Sequence, residues 1–228
     1  MRTLNIITGA KSGLGYSLSL AMLNSGEDVL SISRKSNNKE NELSLGKFNN
    51  FYDITHDFNS RLNFSEIEAL KHLQEFEKVV FLNNACIINP IKPFSEIANL
   101  EVNESLMVNI VTPMDIVGYL LKHCLDQKID FINITSGASD KSIANWSLYS
   151  SSKAYMRRLF EILKTENIEN KKLRFVSLDP GMLDTKMQAD IRNSNFPQNS
   201  IFVGAKENGK LISPDDAARD ILSKIKQL

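Results

Sequence analysis

The stretch Leu4-Asn-Ile-Ile-Thr-Gly-Ala-Lys-Ser-Gly-Leu-Gly15 decides the fold. It begins as a β-rich run that ends at Gly9, and residues 16–25 then read as a helix that Gly26 stops. A glycine-containing turn from a strand into a helix lets backbone amides approach a pyrophosphate, which the helix N-terminus favours electrostatically. The spacing matches neither the Gly-x-Gly-x-x-Gly fingerprint nor a P-loop, so a tight turn that merely needs glycines is an equal alternative.

Strand-like and helix-like patterns alternate along the rest of the chain. Apolar runs predict strands at 4–8, 28–33, 49–53 (an edge), 78–82, 130–134 and 173–178, and apolar periodicity predicts helices at 16–25, 62–75, 103–125, 150–165 and 214–226. Residues 34–47 are polar and weakly patterned, and the aperiodic segment 182–210 is long enough to be a lid containing short helices. The alternation predicts an α/β fold: a Rossmann-type doubly wound parallel sheet between two helical layers, in one domain spanning 1–228.

Composition excludes several classes of protein. The chain has 228 residues, and its 27 basic and 27 acidic side chains cancel, which gives no reason to expect binding to nucleic acid or to an anionic membrane. Two cysteines provide no disulfide framework, and neither a signal peptide nor a membrane-spanning stretch is visible, so we expect a cytoplasmic protein. The histidines show no metal-ligand grouping, and no metal site is predicted.

The end of the second predicted strand indicates the kind of nucleotide. Ser33-Arg34-Lys35 stands where NAD-binding folds carry a carboxylate for the ribose hydroxyls. A guanidinium can instead grip a 2′-phosphate, and Lys11 could add a second positive charge. The alternative is a solvated basic loop. We therefore predict NADPH (or NADP+) as cofactor in preference to NADH.

Polar residues also follow the next two strands. Asp53 and Ile54 could contact the adenine, although an ordinary turn explains them nearly as well. The small polar side chains of Asn83-Asn84-Ala85 could hydrogen-bond both to neighbouring backbone and to the ribose. With the loop, these residues complete the predicted nucleotide contacts: Thr8, Gly9, Lys11, Ser12, Gly13, Leu14, Gly15, Ser33, Arg34, Lys35, Asp53, Ile54, Asn83, Asn84 and Ala85.

Tyr149 and Lys153 are spaced to share one face of a helix. An ammonium beside a phenol stabilises the phenolate and lowers the pKa of the phenol, which would make Tyr149 an acid or base nearer neutral pH. Alone the spacing is weak, because a surface pair explains it equally well. Ser136 lies at the end of a predicted strand, where it could join the pair.

Taken in order, these motifs resemble the short-chain dehydrogenase/reductase family. The resemblance rests on Thr-Gly-x-x-x-Gly-x-Gly at 8–15, Asn-Asn-Ala at 83–85, Asn109, Ser136, Tyr-x-x-x-Lys at 149–153 and Pro-Gly-x-x-x-Thr at 180–185. It implies four catalytic residues, Asn109, Ser136, Tyr149 and Lys153. It also implies nicotinamide contacts from Tyr149, Lys153, Pro180, Gly181, Leu183 and Thr185.

A closer resemblance is to sepiapterin reductase and the bacterial benzil reductases that form (S)-benzoin. It rests on Ile-Ser-Arg at 32–34, Asn-Ile-Thr-Ser-Gly-Ala at 133–138, Asn145-Trp146, Pro-Gly-Met-Leu-Asp-Thr-Lys-Met-Gln at 180–188 and Gly-Lys-Leu-Ile-Ser-Pro at 209–214. This implies NADPH-dependent reduction of a ketone, often one carbonyl of a vicinal dicarbonyl. The alternatives are another keto substrate, such as a sugar nucleotide or acyl thioester, and an NADPH-binding regulatory protein without turnover.

Two departures from the family pattern change the expectations. Cys86 replaces a glycine, and its side chain is expected to weaken or shift cofactor binding. The family's usual last strand is missing after the helix predicted at 214–226, so the sheet is expected to lack it and sepiapterin is a poor candidate substrate.

Apolar side chains provide the predictions for the substrate pocket and for the assembly. Trp146, Met187 and Phe94 are expected to line an apolar pocket, with Pro90 and Ile91 beside them, although core packing explains Phe94 and Ile91 equally well. The helices predicted at 103–125 and 150–165 carry more apolar surface than one sheet face needs. In the resembled family such helices pair across a two-fold axis, so a homodimer acting on a small-molecule ketone is expected.

Overall fold

A twisted parallel sheet forms the centre of the molecule. The computed structural model describes residues 2–34, 38–58, 60–124 and 126–227. Within those ranges six strands pair in parallel in the order β3-β2-β1-β4-β5-β6. They are β1 (Thr3–Thr8), β2 (Asp28–Ser33), β3 (Phe51–Thr55), β4 (Lys78–Asn83), β5 (Lys128–Ile134) and β6 (Leu173–Leu178). The strand order reverses between β1 and β4, which is the switch point at which ligands bind in such sheets.

Helices cover both faces of this sheet. They are α1 (Gly13–Asn24), α2 (Lys39–Leu45), α3 (Glu68–Lys71), α4 (Asn99–Leu106), α5 (Thr112–His123), α6 (Ser147–Glu166), α7 (Lys186–Arg192), α8 (Asn199–Glu207) and α9 (Pro214–Gln227). One apolar core lies between the sheet and α3 to α6, and a second lies between the sheet and the pair α1 and α9. The predicted fold class is confirmed.

The burial of the strands explains why they could be recognised in the sequence. β2, between β1 and β3, is buried along its whole length, and β5 is buried from Ile129 to Ile134. Most of their residues are apolar, and the buried polar side chains among them, such as Ser31 in β2 and Asp130 and Asn133 in β5, are hydrogen-bonded. β3 lies at the edge of the sheet and is only half-buried, as predicted. Among the described helices, none has the length and apolar character needed to cross a bilayer.

Residues 62–75 do not form the single helix that their periodicity predicts. They form a 3₁₀ turn at Phe64–Glu66, the short α3, and a second 3₁₀ turn at Leu73–Glu75. Ile67 has an extended backbone (φ −88°, ψ 99°) and is buried in the core, which interrupts the helix. Packing of one side chain therefore overrides the local period.

The helix predicted at 103–125 begins earlier and is not uniform. α4 begins at Asn99 and continues through a π-helical turn at Met107–Val111 into α5. α5 ends at His123, and the predicted end at Leu125 lies outside the described residues. π-helical turns inside α-helices are frequent at functional sites.

Two segments without a clear pattern contain helices. In 34–47, the Asn38 side chain accepts hydrogen bonds from the backbone of Glu40 and Asn41, and α2 follows with Leu45 buried. In 182–210, the expected short helices are α7 and α8. At the start of α9, Ser213 caps the helix, because its Oγ accepts from the Asp216 amide at 3.1 Å.

Candidate active site

A cavity of about 1200 Å³ opens along the carboxyl ends of the strands. It runs from the glycine loop and the end of β2, past β4 and β5, to the segment after β6. The predicted site residues that line it are Gly9, Lys11, Ser12, Gly13, Leu14, Ser33, Arg34, Asn84, Ala85, Ser136, Trp146, Tyr149, Lys153, Pro180, Gly181, Leu183, Thr185 and Met187. Positions far apart in the sequence therefore meet in one space.

The glycine loop is folded tightly against itself. Gly9 and Gly13 have φ values of +70° and +51°, which L side chains rarely adopt. A Cβ on Gly15 would lie 2.2 Å from the Gly9 carbonyl oxygen and 2.6 Å from Asn84 Nδ2. Since α1 begins at Gly13, the positive end of its dipole faces the cavity. The loop can therefore hold a phosphate-bearing ligand.

Three predicted nucleotide contacts support the loop from outside the cavity lining. Thr8 Oγ1 accepts from the backbone amides of Asn84 and Ala85, both at 3.0 Å. Asn83 Nδ2 donates to Asn133 Oδ1 at 3.0 Å, which ties β4 to β5. Gly15 makes the close backbone contact described above. Their roles in this structure are to hold the loop and the strand ends.

Lys11 does not supply the free positive charge that was predicted. Its ammonium lies 2.7 Å from Asp53 Oδ2 and 3.1 Å from Glu42 Oε1, and it donates to Thr55 Oγ1 at 3.3 Å. Burial alone would lower the pKa of Lys11, but the hydrogen bonds to both carboxylates outweigh that effect and raise it. Lys11 is thus charged and neutralised within the protein.

The other residues predicted around the adenosine have different positions. Asp53 is engaged by Lys11 and Ile54 packs against the core, so neither lines the cavity. Arg34 does line it, and its guanidinium lies 3.9 Å from Glu104 Oε1 with both side chains about half exposed. Ser33 Oγ accepts from the Ala10 amide at 2.9 Å. Lys35 lies outside the described residues.

Tyr149 and Lys153 share the buried face of α6, as their spacing predicted. Ser136 follows β5 and lies near enough to Tyr149 for its hydroxyl to lower the pKa of the phenol. Lys153 Nζ donates to the Ile134 carbonyl at 2.8 Å and lies 5.8 Å from the centre of the Tyr149 ring. A hydroxyl, a phenol and an ammonium therefore converge on one end of the cavity.

Tyr149 does not show the lowered pKa that the sequence suggested. Burial raises its pKa, the nearby Cys86 and Asp179 raise it further, and the hydrogen bond from Ser136 offsets part of the rise. A raised pKa keeps the phenol protonated at neutral pH. In this state Tyr149 is a proton donor, which suits reduction of a carbonyl to an alcohol.

Asn109 acts on the backbone beside the cavity. Its Oδ1 accepts from the Ile87 amide and its Nδ2 donates to the Ile87 carbonyl, both at 2.9 Å. It sits in the π-helical turn at Met107–Val111 and fixes the segment that carries Cys86. The structure thus gives Asn109 a positioning role, and a direct catalytic role remains a prediction.

Cys86, the departure from the family's glycine, lies beside the catalytic pair. Its thiol lines the cavity and interacts with the Lys153 ammonium. Burial raises the pKa of this thiol, and Lys153 offsets part of the increase. Cys86 in turn raises the pKa of Tyr149.

Replacing Cys86 by glycine is expected to change the pH profile of reduction. Without the thiol the pKa of Tyr149 falls, so the phenol loses its proton at a lower pH. The alkaline decline of kcat/KM for reduction should therefore move to lower pH. Cys124→Ala, at a buried thiol in the core under α5, is the control, and superimposable profiles for wild type and Cys86→Gly would refute the coupling.

An aromatic cluster covers the outer side of the site. The Trp146 ring meets Tyr149 edge-on with centroids 5.5 Å apart, and it packs on Phe196 at 5.7 Å and on Phe202 at 5.0 Å. Phe202 belongs to α8, and Met187 of α7 packs against the same cluster. The segment 182–210 is therefore a cover over Tyr149, and Trp146 and Met187 line the cavity beneath it, as predicted.

Phe94 is not part of this pocket. It lies in a 3₁₀ turn at Phe94–Glu96, its side chain is 68% exposed, and it is outside the cavity lining. The prediction for Phe94 is wrong because an apolar residue type does not specify which way a surface turn points. Ile91 does pack against the cluster that contains Trp146.

Residues that were not predicted as site residues also line the cavity. Asn41 of α2 lines it and donates from Nδ2 to the Lys11 carbonyl at 3.2 Å. Asp179 lines it and accepts from the Gly181 amide at 2.9 Å. Gln188, in the first turn of α7, lines it as well. Asn38 was the one available signal for α2, because asparagine is a preferred helix N-cap.

Known proteins similar to this chain agree with the geometry. The chain is 31% identical over 226 residues to "Benzil reductase ((S)-benzoin forming)" of Bacillus cereus, covering 95% of this chain and 91% of that protein. It is 29% identical over 153 residues to sepiapterin reductase of Xenopus tropicalis, covering 64% and 58%. The crystal structure of the KRED1-Pglu enzyme superposes with a TM-score of 0.82 at 26% identity, covering 97% and 93%.

The predicted resemblance is therefore confirmed at the level of the family. The profile described as "short chain dehydrogenase" matches residues 4–195, which include the glycine loop, the catalytic helix α6 and the start of the cover. Because that match extends over most of a chain whose sheet, loop and Ser-Tyr-Lys group have the arrangement just described, the protein belongs to the short chain dehydrogenase family.

Proposed function

We propose that this protein is an NADPH-dependent carbonyl reductase that converts one carbonyl of a vicinal diketone into an alcohol. The observation that carries the proposal is the convergence of Ser136, Tyr149 and Lys153 at one end of a cavity whose other end is the glycine loop. Ketone reduction is supported by membership of an oxidoreductase family. The choice of a vicinal diketone is supported by the similarity to a benzil reductase.

The cavity fits a nicotinamide dinucleotide. Its volume of about 1200 Å³ exceeds the usual 300–1000 Å³ of a drug-sized site, which leaves space for a dinucleotide and a small ketone. The glycine loop would hold the pyrophosphate, Arg34 the adenosine phosphate, and Thr185 with Gly181 the nicotinamide end. A Cβ on Gly13 would reach within 3.3 Å of Thr185 Cγ2, so the loop and the segment after β6 are closely apposed. When bound, the cofactor supplies the hydride for the carbonyl carbon.

The protein's own residues supply the proton and the orientation. Tyr149 gives its phenolic proton to the carbonyl oxygen as negative charge develops there, and Ser136 donates a hydrogen bond that holds the same oxygen. Lys153 stabilises the phenolate that remains until solvent returns a proton. Acid catalysis of this kind contributes about 10²–10⁴-fold to the rate. The cover keeps bulk water from the reacting carbonyl.

A panel of ketones tests the proposed activity. NADPH oxidation is followed with benzil, phenylpropanedione, methylglyoxal, sepiapterin and simple monoketones. The proposal expects turnover with ketones and the highest kcat/KM with the aromatic vicinal diketones, since the pocket beneath the cover is lined by Trp146 and Phe202. If no ketone causes NADPH oxidation although NADPH raises the melting temperature of the protein, the proposal is contradicted.

The preference for NADPH is proposed from Arg34. Since Lys11 is neutralised by Asp53 and Glu42, Arg34 is the described cavity-lining cation at the end of β2 that remains available for a 2′-phosphate. A hydrogen-bonded contact to a charged group is worth about 1.5–3 kcal/mol, which corresponds to about 10–100-fold in affinity.

Arg34→Glu is therefore expected to raise the KM for NADPH by about tenfold or more while changing the KM for NADH far less. The measurement is the ratio of kcat/KM values with the two cofactors. Arg61→Glu, at a side chain that is 74% exposed and outside the cavity, is the matched control and should leave the ratio as in wild type. An unchanged ratio in Arg34→Glu would overturn the assignment of NADPH.

We further propose that the protein works as a homodimer in the cytoplasm. Large apolar side chains are exposed along α4, α5 and α6, namely Leu100, Leu106, Met114, Tyr155 and Ile162. A second copy of the chain would cover them. Two free thiols, Cys86 and Cys124, support a reducing compartment. Light scattering during size exclusion should give twice the chain mass, and a monomer at micromolar concentration would contradict the dimer.

A further inference from the structure

Among the described residues, Asp179 is the acidic side chain that lines the cavity. It directly follows β6, and it is exposed, so a molecule in the cavity can reach its carboxylate. The proposed transfer of a hydride and a proton gives it no task. Because a negative charge opposes the entry of other negative charges, its presence in a cavity for an anionic dinucleotide calls for an explanation.

The Asp179 carboxylate is held in a defined place. Its Oδ1 accepts a hydrogen bond from the Gly181 amide at 2.9 Å, which restrains the side chain over the turn after β6. Its Oδ2 would lie 3.7 Å from a Cβ built on Gly137. Gly137 directly follows Ser136, whose hydroxyl is assigned to the reacting carbonyl oxygen. The second carboxylate oxygen therefore lies beside the turn that carries Ser136.

The same carboxylate is close enough to the proton donor to act on it. Its negative charge raises the pKa of Tyr149, because it would repel the phenolate. The contact with the Ser136 turn and the effect on Tyr149 are separate observations, and both place Asp179 beside the reacting carbonyl. A charged group on the atom next to that carbonyl would therefore lie within the field of Asp179.

The charge of Asp179 is not cancelled by an ion pair within the described ranges. Lys141 and Lys186 are exposed and also line the cavity, but neither forms an ion pair with it. The Lys153 ammonium donates instead to the Ile134 carbonyl at 2.8 Å. Like charges repel each other more strongly in a site from which water is excluded than in bulk solvent. The field of Asp179 is therefore felt by the substrate.

We infer that Asp179 is a specificity residue that excludes ketones carrying a negative charge next to the carbonyl, such as α-keto acids. The inference rests on the proposed carbonyl reduction and restricts it to uncharged dicarbonyl compounds. A vicinal diketone places a neutral acyl group where an α-keto acid places its carboxylate, so it avoids the repulsion. Placing like charges together is a common means of rejecting a wrong partner.

Phenylpropanedione and benzoylformate form a matched pair for the test, since they differ only by a methyl group in place of an oxygen anion. The quantity measured is the ratio of kcat/KM for the diketone to kcat/KM for benzoylformate, with NADPH at neutral pH. Asp179→Asn keeps the size of the side chain and an acceptor for the Gly181 amide. It should lower the ratio by at least about tenfold, through faster reduction of benzoylformate.

Two effects that are unrelated to the inference cancel in this comparison. The different reactivities of the two ketones are the same for every variant, and a changed pKa of Tyr149 alters both reductions alike. Asp179→Glu, which keeps the charge, should retain most of the wild-type ratio. Asp220→Asn, at a side chain on α9 that is 56% exposed and outside the cavity lining, is the matched control and should leave the ratio unchanged.

A measurement on the wild type alone does not depend on the folding of any variant. Benzoylformate should inhibit diketone reduction at least about tenfold more weakly than benzoylformamide, its uncharged isostere. Equal inhibition by the two compounds would overturn the inference. NADPH-induced stabilisation is measured for each variant to confirm that it folds and binds the cofactor.

Three further outcomes would also count against the account. A ratio in Asp179→Asn within about twofold of wild type, with the diketone still reduced, would overturn the inference and leave carbonyl reduction intact. An equal fall of the ratio in Asp179→Glu would assign the effect to shape instead of charge and would overturn it as well. If wild type reduces neither ketone, both the inference and the proposed function fail.

Discussion

Replacing Tyr149 by phenylalanine is expected to lower kcat for ketone reduction by about 10²–10⁴-fold. The change removes one hydroxyl and keeps the ring that packs edge-on against Trp146. The reaction then loses its proton donor, while Ser136 remains as a single hydrogen-bond donor to the carbonyl oxygen. NADPH affinity should stay within about threefold of wild type, because the phosphate-binding loop and Arg34 are untouched. Quenching of the chain's one tryptophan, Trp146, reports that affinity directly.

Tyr155→Phe is the matched control for this experiment. Tyr155 lies on the same helix, α6, but it is 44% exposed and its hydroxyl contacts Met114. Its loss should change kcat by less than about twofold, because Tyr155 is outside the cavity lining and phenylalanine keeps the ring that the proposed dimer would cover. If Tyr149→Phe retains more than about a tenth of the wild-type rate, the assignment of Tyr149 as proton donor fails.

Gly15→Ala is expected to damage both the fold and cofactor binding. The new Cβ would lie 2.2 Å from the Gly9 carbonyl oxygen and 2.9 Å from its carbonyl carbon, so backbone must move. Overpacking of this kind typically costs about 1–3 kcal/mol. For a domain of this size, each kcal/mol lowers Tm by about 2–4 °C. Because the displaced atoms form the phosphate-binding loop, NADPH should also raise Tm less than it does in wild type.

Gly118→Ala provides a control with the opposite sign. Gly118 lies inside α5, and a Cβ there would meet nothing within 4 Å. Alanine in a helix interior stabilises by about 0.5–1 kcal/mol relative to glycine, so Tm should rise slightly. An unchanged Tm and an unchanged NADPH shift in Gly15→Ala would show that the loop does not have the conformation described.

The parts of the structure that could be predicted from sequence are those in which local pattern and tertiary environment agree. β2 and β6 were predicted with their observed bounds, because each is a short run rich in apolar and β-branched residues that is flanked by a charged residue on either side. The glycine loop and the Tyr149–Lys153 pair could also be predicted, because each depends on residues that are close together in the chain.

The parts that could not be predicted depend on contacts between distant residues. Lys11 reads as a free cation until α2 and β3 bring Glu42 and Asp53 to it. The pKa of Tyr149 depends on burial beneath the cover and on Cys86, neither of which its helix spacing reveals. Phe94 looks like a pocket residue by type, yet it is exposed on a surface turn.

Transfer of deuterium from NADPH that carries deuterium at both hydrogen positions of the nicotinamide C4 tests the central claim most directly. The labelled cofactor is incubated with benzil and either wild-type protein or Tyr149→Phe, and the product is examined by mass spectrometry. Carbonyl reduction predicts benzoin with one deuterium on the carbinol carbon from wild type, and at least about a hundredfold less of it from the variant. Unlabelled benzoin, or labelled benzoin formed equally fast by Tyr149→Phe, would contradict hydride transfer assisted by Tyr149.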